Sequence, residues 1–322
     1  MECNVYDLEL NRVGVVSTWV SMVWEESYNG EGAFQIELQQ SDGVTELFKP
    51  DRYCGIAESN TLMIIKSVQV KNGKVIAAGY PATQVLTDRV HTGTIKEQPA
   101  ETALRGLVSD MDPWPRVELG EEAGLSDVFT AEKSDASVLE FCEIIGEATD
   151  MGFRMRHDKK QKKLLFECYK PEKNENARYS TLYGNLTDPE YSVSTAKYKN
   201  VAIVVSDIVT VTAGNTAATG ADRREMFVDA RSEAKEDGES DADYRSRLVR
   251  YGEEKLIEQV KIENFKFDID PSTVKLGDIV SCNVPEFGVK LEVRITGISR
   301  VSQKNKTEVT ATVGTPIVTR RR

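Results

Sequence analysis

Apolar and polar residues alternate through the N-terminal part of the chain, as they do in strands that bury one face. The pattern runs around a turn at "NRVG" and continues through "AFQIELQ". Asn72-Gly73 lies between two β-rich runs, which is the strongest short-range signal of a hairpin. We therefore predict an antiparallel β unit, the first β-barrel portion, over residues 1–97.

A change of pattern after residue 97 predicts a small α+β insert over residues 98–175. Pro99 opens a segment with apolar residues at helical spacing. A second helix is expected from an N-cap at Ser134 to a stop at Gly152. The polar tip "HDKKQKK" between two strand-like pieces then predicts a hairpin.

Residues 176–322 are predicted to form a second β-barrel portion with one long helix over about 242–260. The expected fold class is thus α+β, mainly β, with two β-barrel domains and a small α+β insert. Within "RREMFVDAR", alternation places two sets of side chains on opposite faces of a strand. The first set is Met226, Val228 and Ala230, and the second is Phe227, Asp229 and Arg231.

Composition places the chain among globular proteins, because 40% of its 322 residues are hydrophobic and 29% are charged. No apolar run approaches the roughly 20 residues that a membrane span needs. The N-terminus lacks the apolar stretch of a secretory signal, so we expect synthesis in a cytoplasm. The five cysteines are scattered without a C-x-x-C pair, which favours reduced, buried thiols over disulfides or zinc.

The net charge of −11 argues against tight nucleic-acid binding, which depends on Lys and Arg contacts to phosphate. Three arginines at the C-terminus, Arg320, Arg321 and Arg322, are compatible with a binding tail or a solvated end. An acidic wall could instead let DNA slide past, because it offers phosphate nothing to bind.

The sequence contains no recognisable catalytic motif. Neither His91 nor His157 sits in a catalytic motif, and His157 is expected to be exposed at the hairpin tip. The acidic loop before the long helix lacks EF-hand spacing and is interpreted as a solvated run. A carboxylate pair for glycoside hydrolysis has no diagnostic spacing, and nothing positive supports one. We predict no catalytic, cofactor or metal residues.

One charged cluster stands out at residues 220–231, "GADRREMFVDAR". It could clamp a phosphate or carboxylate, or it could tie a strand to a neighbouring subunit. The candidate residues are Arg223, Arg224, Asp229 and Arg231.

Several segments, in order along nearly the whole chain, resemble the hub-type minor tail proteins of long-tailed phages, specifically the ReqiPepy-type siphophage family. The opening resembles that family's start, and "YKNVAIVV", "GADRREMFVDAR" and "LGDIV" are similar to its later segments. The matching residues of the opening are Tyr6, Asp7, Trp24, Tyr28, Gly32 and Phe34.

The resemblance implies a baseplate hub with two tail-tube-like β-barrels and smaller α/β domains. It also implies a homotrimer whose pseudo-sixfold ring continues the tail tube and lets genomic DNA pass unbound. The expected partners are a distal tail protein ring, a tape-measure protein and a receptor-binding or spike protein, at the tail tip of the virion. Longer relatives carry a C-terminal extension absent here, which favours a structural, non-enzymatic role.

In such a trimer, the charged cluster would form ion pairs between subunits. Three other functions stay open at this point. The chain could be the hub of a contractile tail or phage-derived injection device, a cell-wall hydrolase acting at entry, or a DNA-binding protein.

Overall fold

The computed structural model describes residues 2–30, 32–95, 97–129, 133–236, 238–257, 259, 262–269, 274–303 and 306–316. Strands account for 48% and helices for 21% of the structure, which confirms the mainly β, α+β class. Within these residues, no helix is both long and apolar enough to cross a bilayer.

The chain forms two compact units, one of residues 1–189 with 266–322 and one of residues 190–265. This division differs from the three parts that the sequence suggested, and the boundaries at 97/98 and 175/176 stay a prediction. The closure of the sheets into two barrels stays a prediction as well.

The first unit begins with seven strands and a short helix. They are β1 (Cys3–Tyr6), β2 (Arg12–Val16), β3 (Ser21–Ser27), β4 (Ala33–Gln39), α1 (Asp42–Leu47), β5 (Tyr53–Ile56), β6 (Met63–Lys71) and β7 (Lys74–Pro81).

Short strands, two helices and a hairpin follow. They are β8 (Val90–Ile95), β9 (Gln98–Pro99), α2 (Ala100–Asp110), β10 (Val117–Leu119), β11 (Val128–Phe129), β12 (Lys133–Ser137), α3 (Val138–Thr149), β13 (Gly152–Asp158), β14 (Lys163–Tyr169) and β15 (Lys173–Ser180).

The described residues of the rest of the chain form eight strands and one α-helix. They are β16 (Leu186–Ser194), β17 (Val201–Val205), β18 (Thr210–Gly214), β19 (Glu225–Asp229), α4 (Asp241–Ile257), β20 (Ile262–Ile269), β21 (Ile279–Val284), β22 (Val289–Gln303) and β23 (Lys306–Pro316).

One eleven-stranded sheet organises the first unit, in the order β15-β21-β22-β3-β4-β7-β6-β5-β1-β2, with β23 also paired to β22. Strands from both ends of the sequence meet in it, since β22 pairs antiparallel with β3 from Gly297↔Ser27 to Gln303↔Ser21. The sequence pattern did not predict this joint sheet.

Two strands of this sheet, β5 and β6, place side chains in a different apolar core on each face. On β6, Ile64 packs into one apolar core while Met63 and Ile65 pack into another. On β5, Tyr53 packs into the same core as Ile64, and the adjacent Cys54 packs into the same core as Met63 and Ile65. Successive side chains of a strand point to opposite faces, so the sheet here separates two cores. One core is shared with α2, α3, β13 and β14, so the insert packs directly on the sheet.

Both predicted hairpins are present. β6 and β7 pair around Asn72 and Gly73, whose φ angles of 52° and 71° are those of a type I′ turn. β13 and β14 pair from Gly152↔Tyr169 to Asp158↔Lys163, as the polar tip indicated.

The predicted limits of helix α3 were wrong. Ser134 pairs with Thr94 of β8 in a strand, and the N-cap is Ser137, whose Oγ accepts the N–H of Glu140 at 3.2 Å. The helix ends at Asp150, which has a left-handed φ of 57°, so Gly152 already belongs to β13. Strand pairing of residues 133–137 overrides the local capping signal.

The second unit contains a three-stranded sheet with one helix packed on it. The strand order is β18-β17-β19, and α4 packs on one face. The predicted helix over 242–260 is α4 at Asp241–Ile257, and Val260 lies outside the described residues. The side chains between sheet and helix are Ala202, Val204, Ala213, Val228, Ala230, Tyr244 and Leu248.

Candidate assembly surface

The predicted charged cluster lies on and beside β19, the edge strand of the second unit. β19 pairs in parallel with β17, from Val201↔Glu225 to Val205↔Asp229. Within the described part of the chain no strand pairs with its other edge. An open strand edge presents unpaired N–H and C=O groups and is a ready site for another polypeptide.

The predicted faces of β19 are confirmed. Val228 and Ala230 are buried under α4, and Met226 packs against the same core. Phe227 points the other way and is 61% exposed. An exposed phenyl group beside an open strand edge is typical of a protein contact, because apolar area gains free energy when it leaves water.

Asp229 and Arg231 form an ion pair at the end of β19. Arg231 Nη1 lies 3.0 Å from Asp229 Oδ2, and its Nε lies 4.0 Å from Asp207 Oδ1. All three side chains are more than half exposed. Such a pair contributes at most about 1 kcal/mol to folding, so the fold itself does not require it.

Arg223 is engaged within its own chain. Its Nε donates to Glu225 Oε1 at 2.6 Å, and its Nη1 donates to the carbonyls of Ala218 and Thr216 at 3.4 and 3.5 Å. The side chain therefore closes the loop between β18 and β19.

Arg224 also has local partners. Its Nη1 donates to the carbonyl of Thr195 at 3.2 Å, and its guanidinium lies 5.6 Å from the centre of the Tyr198 ring. Of the four predicted residues, Asp229 and Arg231 are thus the more available for contacts outside the chain.

Asn200 connects this cluster to β17. Its Oδ1 accepts the main-chain N–H of Arg224 at 2.8 Å, and its Nδ2 donates to the carbonyl of Asp222 at 2.7 Å. The carbonyl of Arg224 in turn accepts the N–H of Val201. The segments "YKNV" and "RRE" therefore contact each other, and Asn200 fixes where β19 begins.

The acidic loop is not simply a solvated run, because α4 holds part of it. Arg247 donates from Nε and Nη2 to the two oxygens of Glu239, both at 3.0 Å. Its Nη1 lies 3.4 Å from Glu233 Oε2. These hydrogen bonds lower the pKa of Glu239. A helix arginine following an acidic run was the signal in the sequence that could have indicated this clamp.

The prediction of an exposed His157 was wrong. His157 is only 5% exposed on β13, and its ring meets the Tyr6 ring edge to face at 5.1 Å between centroids. Burial, and then the nearby Lys159, lower its pKa to about 4. The charged tip of the hairpin begins one residue later, which is why the local sequence was misleading.

His91 and the cysteines take packing positions. The His91 ring meets Phe141 edge to face at 5.4 Å. All five cysteines are free and buried, as predicted. Among the residues that the structure describes, no three His, Cys, Asp or Glu side chains are grouped so that they could hold a metal ion. The arrangement at β19 is suited to contact with a protein surface.

A profile of the family described as "Siphovirus ReqiPepy6 Gp37-like protein" matches residues 2–315. The chain belongs to this siphovirus tail protein family. It is therefore a component of a phage tail and is associated with the virion. None of the curated proteins matches the chain.

Solved structures of phage tail proteins share the fold over the full length. A tail protein from Neisseria meningitidis has a TM-score of 0.60 at 12% identity, covering 97% of this chain and 95% of its own. The 43 kDa tail protein of prophage MuSo2 from Shewanella oneidensis has 0.61 at 11%, covering 97% and 98%. Prophage tail protein gp18 from Listeria monocytogenes has 0.58 at 11%, covering 98% and 94%.

The family-like segments of the first unit also meet in space. Gly277 of "LGDIV" has a φ of 93° and lies against Tyr28, so that a Cβ there would come within 3.1 Å of the ring. Arg294 stacks on that ring, 4.7 Å from its centre, and pairs with Asp150. Arg320, Arg321 and Arg322 lie outside the described residues.

Proposed function

We propose that this tail protein is the hub of a siphophage tail tip. Three copies form a ring that continues the tail tube, and the genome passes through the ring to the host. The role is structural, and no residue acts as a catalyst. The observation that carries the proposal is the fold, which is shared with phage tail proteins over 97–98% of this chain.

In the proposed ring, β19 supplies a contact between subunits. Its open edge, the exposed Phe227 and the Asp229–Arg231 pair all belong to this strand or to the residues just after it. A neighbouring subunit would cover the phenyl group and exchange partners with the two charges. Arg and carboxylate pair in a defined planar geometry, which would fix the register of the contact.

The negative net charge of the chain is suited to a channel through which DNA passes without being bound. At a net charge of −11 the ring would repel phosphate and would not retain the genome. Its neighbours would be a distal tail protein ring, the tape-measure protein and a receptor-binding or spike protein.

Light scattering after size exclusion tests the ring first. We expect a mass near three times 35.9 kDa, with a central opening in electron micrographs. A stable dimer would contradict threefold assembly. If the purified chain is a monomer, intact tails provide the test. Gold-labelled antibody against the chain should then mark the tail tip. Label along the tube or on the capsid would refute the hub position.

Zymography on peptidoglycan separates the structural role from the hydrolase alternative. We expect no cleared band from the purified chain, with lysozyme as the positive control. Clearing by this chain would overturn the non-enzymatic role without changing its membership of the tail protein family.

A further inference from the structure

A cavity of about 350 Å³ lies in the first unit where β13 approaches β3 and β22. Its volume is at the lower end of the range for ligand sites and suits a short segment of polypeptide better than a folded domain. The apolar walls include Pro81, Phe153, Met155, Leu276 and Ile298. None of the functions discussed above uses this cavity, which we call the β3–β13 cavity.

One wall of the cavity is a fixed network around Glu26. Glu26 Oε1 accepts from Arg300 Nη1 at 2.8 Å and from Trp24 Nε1 at 3.2 Å, and its Oε2 accepts from Ser59 Oγ at 2.9 Å. The side chains of Glu26 and Arg300 are each 14% exposed. The carboxylate is therefore satisfied and does not compete for a ligand.

Another part of the lining holds two arginines that share one glutamate. Arg154 donates from Nε and Nη2 to Glu167 Oε2 at 3.0 and 2.9 Å, and its guanidinium covers the Tyr169 ring at 5.1 Å. Arg156 donates to Glu167 Oε1 through Nε alone, at 2.7 Å. Glu167 is only 15% exposed, so it holds both guanidinium groups in place.

The anchored guanidinium groups of Arg156 and Arg300 still have N–H donors available at the cavity. Within the described residues, the two terminal nitrogens of Arg156 make no hydrogen bond. Arg300 is held through Nη1 only, so its remaining N–H groups are likewise available. Donors that are already fixed lose little conformational freedom when a carboxylate arrives, and Arg binds carboxylates in a bidentate manner.

The cavity is also locally positive in an acidic protein. Four basic side chains line it against two acidic ones, and counting Glu167, which holds Arg154 and Arg156, still leaves one net positive charge in a chain that carries −11. The basic residues are Arg154, Arg156, Lys275 and Arg300, and the acidic ones are Glu26 and Glu58. A polyanion is repelled by the protein overall, so any affinity for one must arise at a local site.

The aromatic rings argue for a peptide and against an acidic sugar. Arg154 occupies a face of Tyr169, and Phe153 is stacked with Phe166 at 6.1 Å between centroids. Phe153 is also only 4% exposed, so these two rings offer little open face on which a sugar could stack. The aliphatic walls instead suit the methylene stem of a glutamate side chain.

We propose that the β3–β13 cavity binds an acidic segment of another polypeptide, with carboxylate side chains on Arg156 and Arg300. The proposal concerns a single chain and does not depend on the ring.

Isothermal titration of the full chain with a blocked tetraglutamate peptide tests it at low salt. We expect saturable one-to-one binding that weakens as salt rises, and no binding of tetralysine. Arg156→Gln should weaken binding at least tenfold, whereas Arg12→Gln, an exposed arginine outside the cavity, should leave it unchanged. If Arg156→Gln fails to fold, Lys275→Gln provides the same test at an exposed position.

Three results would overturn the proposal. Tetraglutamate could fail to bind the wild-type chain, Arg12→Gln could weaken binding as much as Arg156→Gln, or a glucuronate trisaccharide could bind while the peptide does not. The last result would assign the cavity to a saccharide.

Discussion

Glu26 and Arg300 stand 274 positions apart in the chain and form an ion pair of 2.8 Å that is almost closed to water. The pair joins β3 to β22, the contact through which the two ends of the chain share one sheet. Removing one partner leaves the other charge buried without compensation, and such changes typically lower stability by about 3–5 kcal/mol.

We therefore expect Glu26→Ala and Arg300→Ala each to destabilise the first unit by about 3–5 kcal/mol. The double variant should lose less than the sum of the two, because neither charge is then unpaired. Urea unfolding of the three variants measures this coupling. Glu46→Ala, which breaks the exposed Glu46–Lys49 pair, is the control and should behave like the wild type. Additive effects would show that the pair is not coupled.

Two helical glycines should respond in opposite directions to alanine. A Cβ on Gly252 of α4 would lie 2.5 Å from Val204 Cγ2 and 2.9 Å from Ala213 Cβ, so Gly252→Ala should cost about 1–3 kcal/mol. A Cβ on Gly106 of α2 would meet nothing within 4 Å, so Gly106→Ala should stabilise by about 0.5–1 kcal/mol. Thermal unfolding compares them, and a stabilising Gly252→Ala would disprove the close packing of α4 on β17.

His157 should make stability depend on pH. Its pKa is about 4 in the folded chain against 6.5 ordinarily, so the folded state disfavours the protonated ring. The folded state therefore has its full stability above pH 6.5, and the free energy of unfolding falls by about 3 kcal/mol as the pH drops from 6.5 through 4. Lys159 acts in the same direction as burial, and Asp158 opposes them.

His157→Phe is the matched variant, since phenylalanine keeps a ring against Tyr6 without a titrating group. Urea unfolding at several pH values between 4 and 7 should give a shallower loss for the variant. Equal slopes for the two proteins would assign the pH dependence to other groups.

Asn200 should be needed for the start of β19. Asn200→Ala removes the acceptor for the Arg224 N–H and the donor to Asp222, which should lower the stability of the second unit by about 1–3 kcal/mol. Lys199→Ala at the neighbouring position is the control. Hydrogen exchange should show faster exchange at residues 224–229 in the Asn200 variant only, and unchanged protection there would rule out this role.

Substitutions at the end of β19 should weaken assembly without weakening the fold. Asp229→Ala and Arg231→Ala should weaken the proposed trimer while changing the unfolding temperature little, because the pair is exposed in the single chain. Light scattering over a dilution series measures the first effect and thermal unfolding the second. Arg224→Ala should weaken assembly as well, with some loss of stability from its contacts to Thr195 and Tyr198. Unchanged assembly in the Arg224 and Asp229 variants would refute the predicted interface.

Short stretches of the sequence were enough to predict the local elements and their faces. Asn72-Gly73 specified a hairpin because both residues accept positive φ, and alternation in "EMFVD" placed Phe227 and Val228 on opposite faces because side chains of a strand alternate. These features depend on neighbours within a few positions. Where pairing with a distant strand intervened, as at Ser134 beside Thr94, the local signal was wrong.

Which segments meet could not be predicted from short stretches of the sequence. Alternation says which face of β3 is apolar, but it does not name β22 as the neighbour or Arg300 as the partner of Glu26. The local sequence likewise assigned His157 to a polar hairpin tip, although the packing of β13 against Tyr6 buries the His157 side chain. The physical reason is that register between distant segments depends on how whole surfaces fit, and no short window of sequence contains both surfaces.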